Sequence, residues 1–251
     1  ENGLWYNDRW PEASWITAHT TIAVRYAQQP FVIAAELRNE LRGSVVGGVK
    51  LAPDWGSGSA ATDWRAAALR AATVILKARP SGLLIVVDSL GYSTDFTGVS
   101  SDPISLPVAH RLVYSAHDYS WSQQVDSQAA LHSLLGKRWG YLIEKGKPYT
   151  APVWVSEWGD WHDGRNFGEG WWPWFEEYLK DGDFDWGYWR GDGTESRGTS
   201  RTFGAPAGFG VLNATWDGAA AGGVLLRSLR PLQGATKGPG VDNALTLAAD
   251  E

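Results

Sequence analysis

Two glutamates, Glu40 and Glu157, each close an apolar run: Phe31-Val32-Ile33-Ala34-Ala35-Glu36-Leu37-Arg38-Asn39-Glu40 and Pro152-Val153-Trp154-Val155-Ser156-Glu157. A run of β-branched and apolar residues that stops at a carboxylate reads as a buried parallel strand presenting it at the C-terminal end. In α/β barrels that end carries the chemistry. Two carboxyl groups brought together from distant strands can cleave a glycosidic bond. One, neutral, protonates the leaving oxygen, and the other, anionic, meets the anomeric carbon. A separation of about 5–5.5 Å gives the retaining, double-displacement route. Mutual repulsion keeps one of the two protonated near neutral pH.

The elements that must position them alternate along the chain. Helical spacing predicts a helix over 14–28, stopped by Pro30, and strand 31–37 follows. A loop rich in Gly43, Gly47, Gly48 and Trp55-Gly56-Ser57-Gly58 leads to an Ala-rich helix over 62–78, capped by Thr62 or Asp63. Strand 83–87 ends at Asp88, and strand 112–116 ends at His117-Asp118-Tyr119. Helix 127–144, strand 153–156, helix 171–180, strand 186–189 and a last helix at about 222–232 complete the pattern. Repeated βα units imply an α/β fold with a parallel sheet, either a barrel or doubly wound. The usual dinucleotide fingerprint is missing, which favours the barrel.

Composition narrows the function. The chain has 251 residues, 43% hydrophobic and 20% charged, as in ordinary globular proteins. A net charge of −6 argues against nucleic acid, and no apolar stretch has the roughly 18 residues of a membrane span. Cys is absent, so there is no disulfide framework, thiolate metal site or cysteine nucleophile. Met is absent as well, so Glu1 reads as a processed or trimmed start. Of the 16 Trp, six fall in Gly-, Asp- or Pro-rich stretches: Trp5, Trp55, Trp121, Trp161, Trp171 and Trp172. Flat aromatics exposed on loops suit the apolar faces of sugar rings. Asp181-Gly182-Asp183-Phe184-Asp185 lacks the Gly and Glu of a calcium loop and reads as a polar turn, and Trp161-His162-Asp163 has no partner ligand at metal spacing. No metal or cofactor is expected. Asn213-Ala214-Thr215 is a glycosylation sequon, in keeping with a secreted, extracellular protein.

Four ordered motifs resemble family 5 glycoside hydrolases, the cellulase-like family built on (β/α)8 TIM barrels. They are Leu37-Arg38-Asn39-Glu40-Leu41-Arg42, Leu112 to Tyr119, Val153-Trp154-Val155-Ser156-Glu157-Trp158-Gly159, and Asp192 to Gly198 with Phe209 to Asn213. The resemblance implies Glu40 as acid/base, Asn39 as partner of the sugar 2-hydroxyl and Glu157 as nucleophile. It also implies that His117 and Tyr119 orient the nucleophile and that Trp189 is a platform under the sugar. After a glycosyl-enzyme forms, Glu40 would switch to general base and activate water.

The resemblance also exposes a gap. The family carries its acid/base on the fourth strand, yet Glu40 lies 40 residues into this chain. Three preceding βα units need about 30 residues each. Residues 1–235 are therefore expected to supply about five of eight βα units, with 236–251 as a tail. The N-terminal units are then absent or on a second, docked chain. Three functions fit: an endo-acting β-glucanase, an exo-acting or small-glycoside/glycolipid β-glycosidase, and a carbohydrate-binding pseudoenzyme.

Overall fold

Glu12 opens helix α1 (Glu12–Arg25) in a computed structural model that describes residues 2–79, 82–161, 170–198 and 201–233. A carboxylate is favoured at that positive helix end. The same side chain accepts hydrogen bonds from Arg70 at 2.7 and 2.9 Å and from Trp5 Nε1 at 2.7 Å. Strand β1 (Ala34–Glu36) follows, then a hairpin of β2 (Ser44–Val46) and β3 (Val49–Leu51). Gly47 and Gly48 both have positive φ at its turn, a conformation that glycine adopts without steric cost. Asp63 caps α2 (Trp64–Ala78) by accepting the Ala66 N–H. Buried Trp64, Ala67, Ala68, Ala71, Ala72, Ile75 and Leu76 recur at three- and four-residue steps, which makes one apolar face. Helix α1 packs on α2.

The chain continues through β4 (Leu84–Val87), the single turn α3 (Leu90–Ser93), β5 (Leu112–Tyr119), α4 (Gln128–Arg138) and β6 (Val153–Gly159). Helix α5 (Trp171–Asp181) precedes β7 (Asp185–Tyr188), and α6 (Val224–Gln233) comes last. The main sheet has the order β1-β4-β5-β6-β7 and every pair is parallel. Near-continuous burial along β4 and β5 is what a sheet covered on both faces requires.

The chain divides into two compact units. The first, residues 1–160 with 183–189, holds α1 to α4 and the whole sheet. In the second, residues 161–182 with 190–251, α5 packs on α6. Buried Trp172, Phe175 and Leu179 of α5 and Leu225, Leu229 and Leu232 of α6 form apolar faces there. Residues 236–251, expected as a tail, and His162 and Asp163 lie outside the described residues.

Several expectations need correction. Strand 31–37 shortens to Ala34–Glu36, because Phe31 and Ile33 are 89% and 62% exposed and only residues 34–36 pair with β4. Glu40 thus stands four residues past its strand, in a loop, at φ 50°. The expected loop at 43–51 contains the hairpin. Helix 127–144 breaks at Trp139, whose φ of −147° ends α4 before a 3-10 turn at Gly140–Ile143. Trp5, Trp171 and Trp172 are buried, so they offer no face to a sugar; a large ring gains most by joining a core. Among the six, Trp121 is the one with a largely exposed side chain, at 48%.

Candidate active site

Glu40 is delivered by backbone contacts, not by a strand. Its N–H donates to Asp88 Oδ1 at 3.2 Å, and its carbonyl accepts from Arg42 Nη1 at 2.7 Å. A left-handed backbone is costly for a residue with a side chain, by about 1 kcal/mol or more, and persists only where neighbours fix it. These two bonds fix it.

Glu157 is delivered by an irregularity in the ladder. Tyr114, Ser115 and Ala116 pair with Val153, Trp154 and Val155, but His117 pairs with Glu157. Ser156 is the extra residue, as at a β-bulge. Side chains alternate along a regular strand, so neighbours point to opposite faces. The extra residue turns both Ser156 and Glu157 toward the face that carries Ser115, His117 and Tyr119. Ser156 Oγ lies 2.6 Å from Ser115 Oγ, and Glu157 Oε2 accepts from the Tyr119 hydroxyl at 2.8 Å.

His117 joins the two glutamates. Its Nδ1 is 3.2 Å from Glu40 Oε1 and 3.5 Å from Glu157 Oε2. One oxygen from each glutamate and the ring nitrogen all lie within 4.8 Å of one another. Four of the six sequence-predicted residues therefore meet: Glu40, His117, Tyr119 and Glu157. Asn39 is exposed beside Glu40, and Trp189, 37% exposed, follows β7; both stand outside this hydrogen-bonded cluster. Asn39 lines an open cleft of about 600 Å³ together with Trp10, Trp15 and Glu36.

Burial pushes the Glu157 carboxyl above its ordinary range. The His117 ring and the Tyr119 hydroxyl oppose that rise, while the charges of Glu40 and Glu36 add to it. Burial first, then the charge of Glu157, drives the Tyr119 phenol far up, so it remains a hydrogen-bond donor. A neutral donor on one carboxyl and a second carboxyl close by is an arrangement able to run paired acid/base and nucleophile chemistry.

Two functional residues were missed by sequence reasoning. Glu36, the last residue of β1, accepts from Ser115 Oγ at 3.2 Å, and Asp88, at the end of β4, is fully buried with Oδ1 3.7 Å from His117 Nε2. Asp88 was noticed as a strand end, and that placement beside the Glu40 run was the available signal. Glu36, Asp88 and His117 also bring three atoms within 4.8 Å, as do Glu40, His117 and Glu157. Carboxylate–imidazole sets of this kind suit divalent cations. Burial, followed by the Glu36 carboxyl, holds Asp88 well above the carboxylate range, which opposes ligation by the first set.

The chain matches known proteins over most of its length. The family model described as Cellulase (glycosyl hydrolase family 5) matches residues 2–194. An endoglucanase of Paenibacillus polymyxa is 36% identical over 183 residues, covering 66% of this chain and 42% of that protein. The catalytic domain of the major endoglucanase from Xanthomonas campestris pv. campestris superposes with a TM-score of 0.70 at 23% identity, covering 92% of this chain and 65% of that one. A cellotetraose complex of an endocellulase variant from Pyrococcus horikoshii gives 0.72 at 22% identity, covering 92% and 66%. The chain thus spans about two fifths of the curated relative and just under two thirds of the solved structures. The fold is the expected one, five βα-type strands of a (β/α)8 barrel.

Proposed function

Because the chain belongs to glycosyl hydrolase family 5, the cellulase family, we propose that it is the C-terminal part of a retaining, endo-acting β-glucanase. Glu40 is the acid/base and Glu157 the nucleophile in this reading. The observation that carries it is their approach: oxygens within 4.8 Å across one imidazole. That suits the separation of about 5–5.5 Å used for double displacement, and leaves no room for the water that an inverting pair admits at about 6.5–9.5 Å.

The reaction starts with Glu157 ionised and Glu40 protonated. Glu157 attacks the anomeric carbon while Glu40 gives its proton to the leaving oxygen. Tyr119 steadies the nucleophile from 2.8 Å. In the second step Glu40, now a carboxylate, takes a proton from water, which releases the sugar from Glu157. His117 reaches both groups and keeps them apart in charge and orientation. Asn39 and Trp189 contact the sugar, as hydrogen-bond partner and stacking platform. No metal or cofactor takes part in these steps.

Proton NMR of freshly cleaved β-glucan tests the reading. Retention of the β-anomer, with oligosaccharides of mixed length early in digestion, is expected. An α-anomer first product would exclude it, and a single small product would favour exo-cleavage or small glycosides. Glycan binding without turnover, unchanged by Glu157→Gln, would favour the binding-only alternative.

The free edge of β1, which pairs only with β4 among the described residues, supports one further part of the proposal. Five strands cannot close an eight-stranded barrel. Strands outside these 251 residues complete it, on the same polypeptide or on a docked second chain. Denaturing mass analysis of the native particle distinguishes these, and a lone, fully active 251-residue monomer would refute both. Secretion is part of the same reading, since a polymeric glycan is met outside the cell. No helix among the described residues is long and apolar enough to cross a membrane.

A further inference from the structure

One buried carboxyl outside the reacting pair reaches both members of it. Asp88 stands at the end of β4 with no solvent exposure. Its Oδ1 accepts the Glu40 N–H at 3.2 Å and lies 3.7 Å from His117 Nε2. The other ring nitrogen, Nδ1, faces Glu40 and Glu157. Asp88 therefore reaches Glu40 by two routes, through its backbone and through the imidazole beside its carboxyl.

The neighbours of Asp88 explain why it is placed so firmly. Trp64 Nε1 of α2 donates to the Asp88 carbonyl at 2.7 Å. The Ser93 hydroxyl and the Glu36 carboxyl lie against its side chain. The titratable groups facing Asp88 and His117 are Glu36 from β1, Glu40 from the loop after it and Glu157 from β6, with Tyr119 from β5 bonded to Glu157. Burial, then Glu36, raises Asp88 and keeps it uncharged. An uncharged carboxyl donates its proton to Glu36 and still accepts the Glu40 N–H. It adds no third negative charge beneath the imidazole.

We propose that Asp88 is a positioning residue: its carboxyl fixes both the left-handed turn that aims Glu40 and the imidazole that lies between Glu40 and Glu157. The proposal rests on Glu40 being the acid/base. Loss of Asp88 should weaken protonation of the leaving group more than any other function of the site. Asp88→Asn keeps an oxygen that accepts the Glu40 N–H, whereas Asp88→Leu removes it at similar volume.

The test compares kcat/KM, which reports the first chemical step, on two substrates of the native enzyme: phenyl and 2,4-dinitrophenyl β-cellobioside. Dinitrophenolate departs without a proton, and phenolate needs one. Asp88→Leu is expected to lose about 100-fold on the phenyl substrate, within the range for a lost general acid, and less than about threefold on the dinitrophenyl one. Asp88→Asn should recover most of the phenyl loss. An equal loss on both substrates, or no loss on either, would overturn the proposal. Should Asp88→Leu fail to fold, Asp88→Ser, whose short hydroxyl cannot span to Glu40, carries the same comparison. Glu40→Gln runs alongside. If it shows no leaving-group dependence, the acid/base assignment itself has failed, and an Asp88 effect restricted to one substrate cannot then be credited to Glu40.

Discussion

Glu157 lies directly across the sheet from His117, one residue out of the register that Tyr114 and Val153 set. Without that slip His117 would face Ser156, and Glu157 would point to the opposite face, away from Tyr119 and Glu40. The placement of the proposed nucleophile thus depends on one unpaired residue in β6. Deleting Ser156 should restore the ladder and abolish activity while the five parallel strands remain. Circular dichroism beside an activity assay checks this, and an active deletion variant would show that the slip is dispensable.

The contacts of Glu157 predict opposite shifts in the pH profile. Attack requires its ionised form, so its pKa sets the acid limb of kcat/KM. The Tyr119 hydroxyl lowers that pKa and the Glu36 charge raises it, on top of the larger rise from burial. Tyr119→Phe should therefore move the acid limb to higher pH, and Glu36→Gln should move it to lower pH. Shifts of the same sign in both variants would contradict this account.

Asp118 gives a stability prediction on the other face of β5. Fully buried, it is pushed up to about 7, chiefly by desolvation, against hydrogen bonds from Trp139 and neighbouring groups. A carboxyl whose folded pKa lies above its unfolded value costs stability as pH rises from about 4 to about 7, and the cost then levels off. Asp118→Asn removes that dependence. Its melting temperature relative to the parent should climb across this window, by an amount equivalent to up to about 4 kcal/mol at 1.36 kcal/mol per unit. A difference independent of pH would show that Asp118 does not titrate there.

Gly159 closes β6 where the chain passes the residue after β7. A Cβ at this position would meet the Trp189 carbonyl oxygen at 2.6 Å. Backbone must shift to admit it. Gly159→Ala should destabilise by about 1–3 kcal/mol and weaken glycan binding by displacing Trp189. Thermal melting and titration calorimetry with a cello-oligosaccharide read the two effects, and an unchanged melting temperature would contradict the first.

Exposed aromatics near the cluster predict binding effects without loss of chemistry. Trp121 stacks on Tyr119 with centroids 4.5 Å apart and planes at 15°. Trp121→Ala and Trp189→Ala should each weaken oligosaccharide binding by about tenfold, the scale of one lost aromatic contact. Unaltered affinity in both would remove them from the sugar-binding surface.

Much of this was readable in the chain, and the unread parts have physical causes. The runs ending at Glu157 and His117 are long and apolar, so their strands and end residues stood out. Glu40 was recognised through Asn39 and its neighbours, but its run overstated the strand, since apolar residues at 31–33 do not pair with β4. The slip at Ser156 has no sequence signature, because register is fixed by pairing and not by residue type. Gly47-Gly48 between Ser44-Val45-Val46 and Val49-Lys50-Leu51 was a hairpin signal read as loop. Glu36 and Asp88 looked like ordinary acids at strand ends, and only the parallel register of β1 and β4 brings them beneath His117.

The most direct test of the central claim is to trap the covalent intermediate. The native enzyme would be treated with 2,4-dinitrophenyl 2-deoxy-2-fluoro-β-cellobioside, in which fluorine slows release more than attack, then digested and mapped by mass spectrometry. A cellobiosyl adduct carried by Glu157, absent after treatment of Glu157→Gln, is the predicted result. An adduct on any other residue would contradict Glu157 as nucleophile, and rapid turnover with inversion at the anomeric carbon and no adduct would contradict double displacement itself.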